Sequence, residues 1–188
     1  MVQESNLYMF AALVAFSAFV VSMYYCFYKK PKSEYELYLI LILGLVALAK
    51  SVEFYEKYTV HESSLSASIH SVVASHINQI DKSYKYFLRS SRLDLDDYNK
   101  EIEQGLHITS MAGSWIALVE GFGGFKVSKD KITINPKIPK EWKSYQFNIF
   151  YNNQIINFKI EENSILINAE KTKELNIKNL SSKTISYE

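Results

Sequence analysis

The sequence predicts an α+β protein in which helices come first and a small antiparallel, β-sandwich-type domain follows. Three observations predict this fold class. The chain opens with an almost charge-free apolar segment, continues with apolar residues at helical spacing, and changes to an alternating pattern after Gly121. We therefore divide the chain into residues 1–50, 51–120 and 121–188.

Composition and charge exclude several classes of partner. The 188 residues carry a net charge of +1 and no basic block, which argues against nucleic acid as a partner. Hydrophobic residues make up 48% of the chain, enough for a sizeable core. Because Cys26 is the single cysteine, neither a disulfide framework nor a zinc-binding cysteine pair is expected, which suits a reducing compartment.

The N-terminal segment has the composition of a membrane helix. Residues 6–28 contain no charged side chain and are followed by Lys29, and about 20 apolar residues suffice to span a bilayer. This run predicts a membrane contact. A second apolar run, Leu37–Ala49, has a length that fits a buried core helix as well as a membrane segment, so both interpretations stay open.

Two antiparallel helices are predicted after residue 65. The first begins at Ser66 or Ser68, since either hydroxyl suits the N-cap, and the second begins at Asp81. The short loop between them favours antiparallel packing. Residues at helical spacing define the predicted inward stripes: Ile69, Val72, Val73, His76 and Ile77 in the first helix, and Tyr84, Phe87 and Leu88 in the second.

A third helix is predicted from about Ile108 to Val119, ending at Gly121. Its Ala112-Gly113 pair allows a neighbouring backbone or a ligand to approach closely. The glycines of Gly121–Gly124 are expected to form a hinge before the strands. Apolar residues at helical spacing are expected to face inward: Met111, Trp115, Leu118 and Val119.

The strands are predicted with their register. Phe125–Val127 and Ile132–Ile134 form one hairpin around Lys129-Asp130. A second hairpin has Asn152-Asn153 as its two-residue loop, which places three pairs on one apolar face: Ile149 with Ile156, Phe147 with Phe158, and Tyr145 with Ile160. A third strand extends this face, with Ile165 opposite Ile160 and Ile167 opposite Phe158. Leu175–Leu180 and Thr184–Tyr187 are candidates for two more strands.

The run from Tyr58 to Ser66 concentrates polar chemistry just before a helix. His61, Ser63 and Ser64 lie in it, and hydroxyls with free backbone N–H groups at a helix N-terminus suit an anion. The alternative is a capping loop whose serines satisfy the helix end. A serine hydrolase site is not expected, because no G-x-S-x-G motif is present.

The remaining polar residues do not make a metal site. His70 and His76 lie six residues apart, which is not a ligand spacing, and His107 is expected in solvent. Asp94, Asp96 and Asp97 lack the glycine and closing glutamate of a calcium loop, so a solvated loop is predicted there.

Several segments in order along the chain resemble one family. The first is residues 54–66, FYEKYTVHESSLS, which matches the signature YxxxTxHxSSLS of glycoside hydrolase family 65. The resemblance covers roughly residues 51–170 and continues through residues 87–89, 93–97, 103–115, 119–124 and 135–142.

This resemblance implies a fold, an activity and a site. Residues 51–120 would be the last helices of an (α/α)6 barrel, and a C-terminal β-sandwich domain would follow. Family members are maltose, trehalose, kojibiose and nigerose phosphorylases, which cleave an α-glucosyl disaccharide with inorganic phosphate and give β-glucose 1-phosphate with inversion. The resemblance implies that the phosphate side of the pocket is lined by His61, Ser63, Ser64, Gly113 and Ser114. No cofactor or metal is implied; family members are cytoplasmic and usually dimeric.

The sequence also departs from the family. Residues 1–50 match neither the general-acid glutamate motif nor the Lys-Gln-Ala-Asp run that helps to hold the sugar. We expect a C-terminal fragment that contains no catalytic residue, is inactive unless another chain complements it, and exposes the apolar faces of its helices. Whether the chain alone is an enzyme stays open. The alternatives are a membrane-tethered carbohydrate-binding or interaction module and a non-functional gene remnant.

Overall fold

The structure is a computed structural model that describes residues 34–60, 63–98, 100–101, 103 and 105–187. The chain divides into two compact units, Met1–Val60 and His61–Glu188. The predicted membrane contact at residues 6–28 lies outside the described residues.

The first unit contains helix α1, Glu34–Glu56, which includes the second apolar run of the sequence. Ile42, Leu45 and Val46 are more than half exposed, whereas Ala47 is buried. That this run is a core helix stays a prediction. No helix within the described part of the chain combines the length and apolar character that a bilayer crossing requires. After α1, the Thr59 hydroxyl donates to the carbonyl oxygen of Tyr55 at 2.8 Å.

The second unit begins with three helices: α2 (Ser66–His76), α3 (Ile80–Ser91) and α4 (Ile108–Ile116). A π-helical segment, Ala117–Phe122, continues α4 to the first strand region. The predicted antiparallel packing of α2 and α3 is confirmed. Ser71 on α2 bonds to Ser83 on α3, and the ring centroid of His70 on α2 lies 5.5 Å from that of Tyr86 on α3. The helices are antiparallel because an earlier residue of α2 contacts a later residue of α3.

The predicted caps and inward stripe of α2 and α3 are partly wrong. The N-caps are Leu65 and Gln79, rather than Ser66, Ser68 or Asp81. Ile69 is exposed, and α2 instead buries its small residues: Ala67, Ser68, Ser71, Ala74 and Ser75. Small side chains let the helix axes approach closely, and the buried hydroxyls find hydrogen-bond partners on neighbouring helices. A pattern that counts only large apolar residues misses such a face.

The stripe predicted for α4 is correct only at its C-terminal end. Val119 is buried in the core and Leu118 packs against it. Met111 and Trp115 are each 50% exposed, because the buried face of α4 is formed by Ser110 and Gly113. Leu65, Ile69 and Ile108 are exposed as well, which confirms the expectation that the helices leave apolar faces uncovered.

Among the residues that the structure describes, seven strands form two sheets. The first sheet has the order β1-β2-β6 and the second the order β3-β4-β5-β7. The strands are β1 (Lys126–Ser128), β2 (Lys131–Ile134), β3 (Ser144–Tyr151), β4 (Gln154–Glu161), β5 (Ser164–Asn168), β6 (Ile177–Asn179) and β7 (Thr184–Tyr187). A short 3₁₀ helix, Thr172–Glu174, lies between β5 and β6.

The predicted register is confirmed in both hairpins of the second sheet. Phe147 pairs with Phe158, and Phe158 in turn pairs with Ile167. Asn152 and Asn153 have φ of 49° and 58°, the left-handed values that a two-residue turn of this kind requires. The buried core consists of inward residues of β2, β3, β4 and β5 together with Val119, Phe125 and Ala169, so one core joins the helices to both sheets.

The last two strands differ from the predicted antiparallel arrangement. β6 pairs parallel with β2, and β7 pairs parallel with β5. After β5 the chain crosses to the first sheet, and after β6 it returns to the second. Parallel pairing follows because each return path is a crossover connection rather than a tight turn.

The glycine run is a packed junction, not the expected hinge. A Cβ at Gly123 would lie 2.5 Å from the carbonyl oxygen of Val119, and one at Gly124 equally close to that of Asn135. Gly124 also has a φ of 58°, so glycine is required there for its conformation. These glycines bring backbone segments together and fix the strands against the helices.

Candidate functional site

Helices α2 and α4 run parallel, side by side. Three successive contacts define this geometry: Ser64 with Thr109, Ser68 with Gly113, and Ser75 with Gly121. Because contacts advance in the same direction on both helices, their N-termini lie at the same end. Helix α3 is antiparallel to both, an alternation that an (α/α) barrel shares with other helix bundles.

Both of these N-termini lack a side-chain cap. The N-cap residues, Leu65 for α2 and His107 for α4, make no capping hydrogen bond to any described residue. Neither first turn carries an acidic residue. Local carbonyl oxygens accept the amides of Ser66, Ile108 and Ser110. The dipoles of the two adjacent helices still add where the helices start, and this favours an anion there.

Hydroxyl groups join the two N-termini. The hydroxyls of Ser64 and Thr109 hydrogen-bond at 2.8 Å, and Ser63 lies exposed beside them. Ser63 Oγ accepts only a long bond of 3.4 Å from the Leu65 amide, which leaves the end of α2 uncapped. The Ser63 carbonyl oxygen also accepts the Ser66 amide at 3.0 Å. The capping-loop and anion interpretations of this run both stay predictions.

The other predicted site residues are distributed differently. His61 lies outside the described residues. Gly113 is buried against Ser68, so its close approach serves helix packing. Ser114 Oγ donates to the carbonyl oxygen of Ser110 at 2.8 Å and lies 3.1 Å from Ser90 Oγ, within the contact with α3.

Thr109 is the site residue that sequence reasoning did not select. Its hydroxyl is exposed apart from the bond to Ser64, in the first turn of α4. The available signal was its position, because a threonine in the first turn of a helix presents its hydroxyl at the end where the N–H groups are free.

A charged pair lies at the start of α4. His107 Nδ1 is 2.5 Å from Asp94 Oδ1, and the His107 amide donates to Asp94 Oδ2 at 3.0 Å. The hydrogen bond to Asp94 raises the pKa of His107, and the same bond lowers the pKa of Asp94. Glu101 lies 3.4 Å from Nε2 and adds to the rise. His107 is thus paired rather than free in solvent, contrary to expectation.

The acidic loop before α4 is ordered by its own side chains. Asp96 accepts two bonds from Arg92, at 2.8 and 2.6 Å, and this pair lowers the pKa of Asp96. Asp97 accepts from the amide of Glu101 at 3.0 Å. Within the described part of the chain, no group of three or more potential ligands could hold a metal ion.

Two models of known protein families match this chain. The model of the glycosyl hydrolase family 65 central catalytic domain matches residues 20–116, over half of the chain. This chain belongs to glycosyl hydrolase family 65. The model of the C-terminal domain of family 65 matches residues 125–179. The two matches meet where the helices give way to strands.

The family 65 match begins at residue 20, inside the apolar segment for which no resemblance to the family was expected. A helix that packs within a helical barrel is also apolar, so composition alone does not separate it from a membrane helix. The finding assigns residues 20–50 to the family's central domain.

Relatives within family 65 are phosphorylases. The chain is 44% identical to the maltose phosphorylase of Bacillus subtilis over 128 residues, which are 68% of this chain and 17% of the relative. It is 44% identical to an α,α-trehalose phosphorylase of Thermoanaerobacter brockii, over 63% of this chain and 15% of that one. A kojibiose phosphorylase of Halothermothrix orenii is 35% identical, with the same coverage. The chain therefore spans about a sixth of these relatives.

A solved structure supports the fold. It is described as a kojibiose phosphorylase from the human microbiome and is 35% identical, with a TM-score of 0.66. The match covers 79% of this chain and 20% of that chain. The α+β fold, with barrel-type helices followed by antiparallel-rich sheets, is thus that of the C-terminal part of a family 65 protein.

Proposed function

We propose that this chain forms the phosphate-binding side of an inverting phosphorylase that acts on an α-glucosyl disaccharide. Inorganic phosphate is the co-substrate, and β-glucose 1-phosphate is the product. The residues that we assign to the phosphate side are His61, Ser63, Ser64, Gly113 and Ser114, and Thr109 is added to them. The phosphorylase activities of the relatives support this reaction class.

One observation carries the proposal. The uncapped N-termini of α2 and α4 lie next to each other and are tied by the Ser64–Thr109 hydrogen bond of 2.8 Å. Backbone N–H groups and hydroxyls are donors that suit a phosphate oxyanion, and the dipoles of both helices favour its charge. Gly113 and Ser114 contribute indirectly, because their contacts with Ser68 and Ser90 hold α4 in this position.

The chemistry assigns the chain a positioning role. In an inverting phosphorolysis, a phosphate oxygen forms a bond to the anomeric carbon as the glycosidic C–O bond breaks on the opposite face. A general acid donates a proton to the leaving oxygen. Holding phosphate in line for this attack is the contribution of the helix N-termini. The general acid is expected from a segment outside these 188 residues or from a complementing chain of different sequence. A homodimer, the other partner that we propose, would not supply the acid.

Phosphate binding tests the proposal. We expect inorganic phosphate, titrated at constant ionic strength, to shift the amide NMR signals of residues 65–68 and 108–110. Ser64→Ala removes the hydroxyl that joins the two helices and should weaken binding about fivefold, the cost of roughly one hydrogen bond. Ser128→Ala is the matched control, because Ser128 is an exposed serine at the end of β1, in the sheet part of the unit, and should leave binding unchanged.

Absence of any phosphate response at these amides would overturn the proposal. A second measurement tests the assignment of the general acid. The chain is incubated with phosphate and maltose, trehalose or kojibiose, and β-glucose 1-phosphate is quantified. We expect no product, and product formed by the isolated chain would show that it contains the acid.

A further inference from the structure

A second concentration of positive charge lies at the other end of α2. A cavity of about 90 Å³ separates the C-terminal end of α2 from the first sheet. Its lining includes His76, Lys126, Thr133, Asn135 and Lys137. These residues come from α2, from β1, from β2 and from the loop that follows β2. No carboxylate of the described residues lines it.

The two lysines differ in how they are held. Lys137 Nζ is half-buried and donates to the carbonyl oxygen of Ser75, near the end of α2. A lysine that binds the last carbonyls of a helix acts as a C-cap, so helix capping alone accounts for Lys137. Lys126 is exposed and makes no ion pair with a described residue. Helix capping therefore leaves Lys126 unexplained.

The lining groups already affect each other as like charges. Burial lowers the pKa of His76, and Lys126 lowers it further. Burial and Lys126 together also lower the pKa of Lys137. Glu120 acts in the opposite direction and raises the pKa of His76. Its carbonyl oxygen lies 3.3 Å from His76 Nε2, and its carboxylate is exposed.

We infer that this cavity is a binding site for a small oxyanion of the phosphate or sulfate type, held by Lys126, Lys137 and His76. A cavity needs roughly 10–15 Å³ of such volume for one water, so this one has room for a small tetrahedral ion. Lysine ammonium groups bind phosphate as point charges, and the Thr133 hydroxyl and Asn135 amide offer neutral donors. The site is separate from the phosphate side proposed above and does not depend on it.

The imidazole of His76 reports directly on this site. Its NMR signals, assigned with a His76→Gln variant, are followed against pH in the intact chain at constant ionic strength, in chloride, in inorganic phosphate and in sulfate. A bound oxyanion favours the protonated imidazole, so phosphate and sulfate should raise the pKa of His76 relative to chloride. An unchanged pKa at tens of millimolar of both oxyanions overturns the inference.

Variants of the lysines identify the contact. Lys126→Gln should weaken phosphate binding about tenfold, the loss of one charge-assisted hydrogen bond. Lys126→Arg keeps the charge and should retain most of the binding. Lys131→Gln is the matched control, because Lys131 is exposed on the same hairpin outside the cavity. Equal affinity of Lys126→Gln and wild type contradicts the assignment.

Two further arms separate the sources of the anion and the two sites. Glucose 1-phosphate carries the same phosphoryl group as part of a sugar phosphate. If it binds as tightly as inorganic phosphate, the site accepts sugar phosphates; if it binds more weakly, the site is one for the free ion.

Ser64→Ala, at the other proposed site, should leave the His76 response unchanged. If the amides at the starts of α2 and α4 fail to respond while His76 does, only the proposed function fails; the reverse pattern overturns only this inference.

Discussion

At the scale of single residues, Gly113 sets the distance between α2 and α4. A Cβ at this position would lie 2.3 Å from Ser68 Oγ and 2.7 Å from Ser68 Cβ. The hydroxyl can rotate away, but the Cβ of Ser68 is fixed to the backbone of α2. A larger residue at 113 therefore separates the two helices whose N-termini form the proposed site.

Gly113→Ala tests this role of Gly113. In an exposed helix the change would stabilise by up to about 1 kcal/mol, but here the overlap should dominate and destabilise by about 1–3 kcal/mol. Urea unfolding measures the free-energy difference. Ser68→Gly removes the obstructing Cβ, so Gly113→Ala in that background should be close to neutral or stabilising. A Gly113→Ala variant as stable as wild type would contradict the packing described.

At the scale of elements, the loop between α3 and α4 depends on the His107–Asp94 pair. Because the pKa of His107 is raised, its contribution to stability is complete below the unfolded value of 6.5 and is lost as pH rises through the folded value. Because the pKa of Asp94 is lowered, its contribution is present above 3.8 and is lost as pH falls through the folded value. The ion pair is thus strongest between these two pH values.

Asp94→Asn should reveal this window. We expect the difference in unfolding free energy between wild type and variant to be largest between about pH 4 and pH 6.5, and to shrink at higher pH as His107 loses its proton. Part of the difference should remain, because Asp94 also accepts the backbone amide of His107. Asp130→Asn, in the exposed turn between β1 and β2, is the control. A difference independent of pH would exclude the ion pair as its cause.

Elements also differ in how well the sequence predicts them. The register of β3, β4 and β5 follows from alternation and a two-residue turn, which are local and have a strict period of two. The buried face of α2 does not follow from its large apolar residues, because Ser71 and Ser75 are buried while Ile69 is exposed. Whether a serine faces inward depends on a partner such as Ser83 or the carbonyl oxygen of Gly121, and neither is local in sequence.

The candidate site shows the same division. The polar run before α2 predicts an anion site. Thr109, which we propose as a further residue of that site, lies 45 residues after Ser64 and is recognised only when α2 and α4 are seen to be parallel. The parallel direction of β6 and β7 is likewise a property of the crossover connections. The resemblance to the family predicted the barrel-type helices and the sheets that follow them. The composition of these segments would not have predicted them, because other folds have the same composition.

At the scale of the second unit, aromatic rings link the helices to the sheets. Phe122 is fully buried, and its ring centroid lies 5.7 Å from that of Phe87 on α3 and 5.1 Å from that of Trp142, shortly before β3. Val119 and Phe125 extend the sheet core towards the helices on either side of Phe122. The helices and the strands should therefore unfold together.

Phe122→Ala tests this coupling. The cavity that it leaves should lower the free energy of unfolding by about 3–5 kcal/mol and affect the helical and sheet signals alike. With Trp115→Phe as the background, Trp142 is the one tryptophan left. Circular dichroism for the helices and tryptophan fluorescence should then give coincident transitions. Phe150→Ala, at a phenylalanine that is 72% exposed on the outer face of β3, should cost far less. Separate transitions would show that the two parts fold independently.

The return of β6 to β2 has a consequence for the order in which the chain acquires its structure. Between β2 and β6 lie all the residues of β3, β4 and β5, so the first sheet is completed by a contact of long sequence separation. Such contacts form late, because a long loop must close before the pairing contributes. As the polypeptide leaves the ribosome, β1 and β2 remain a two-stranded hairpin until residues 177–179 emerge. The two sheets are thus completed by β6 and β7, which follow the other strands along the chain.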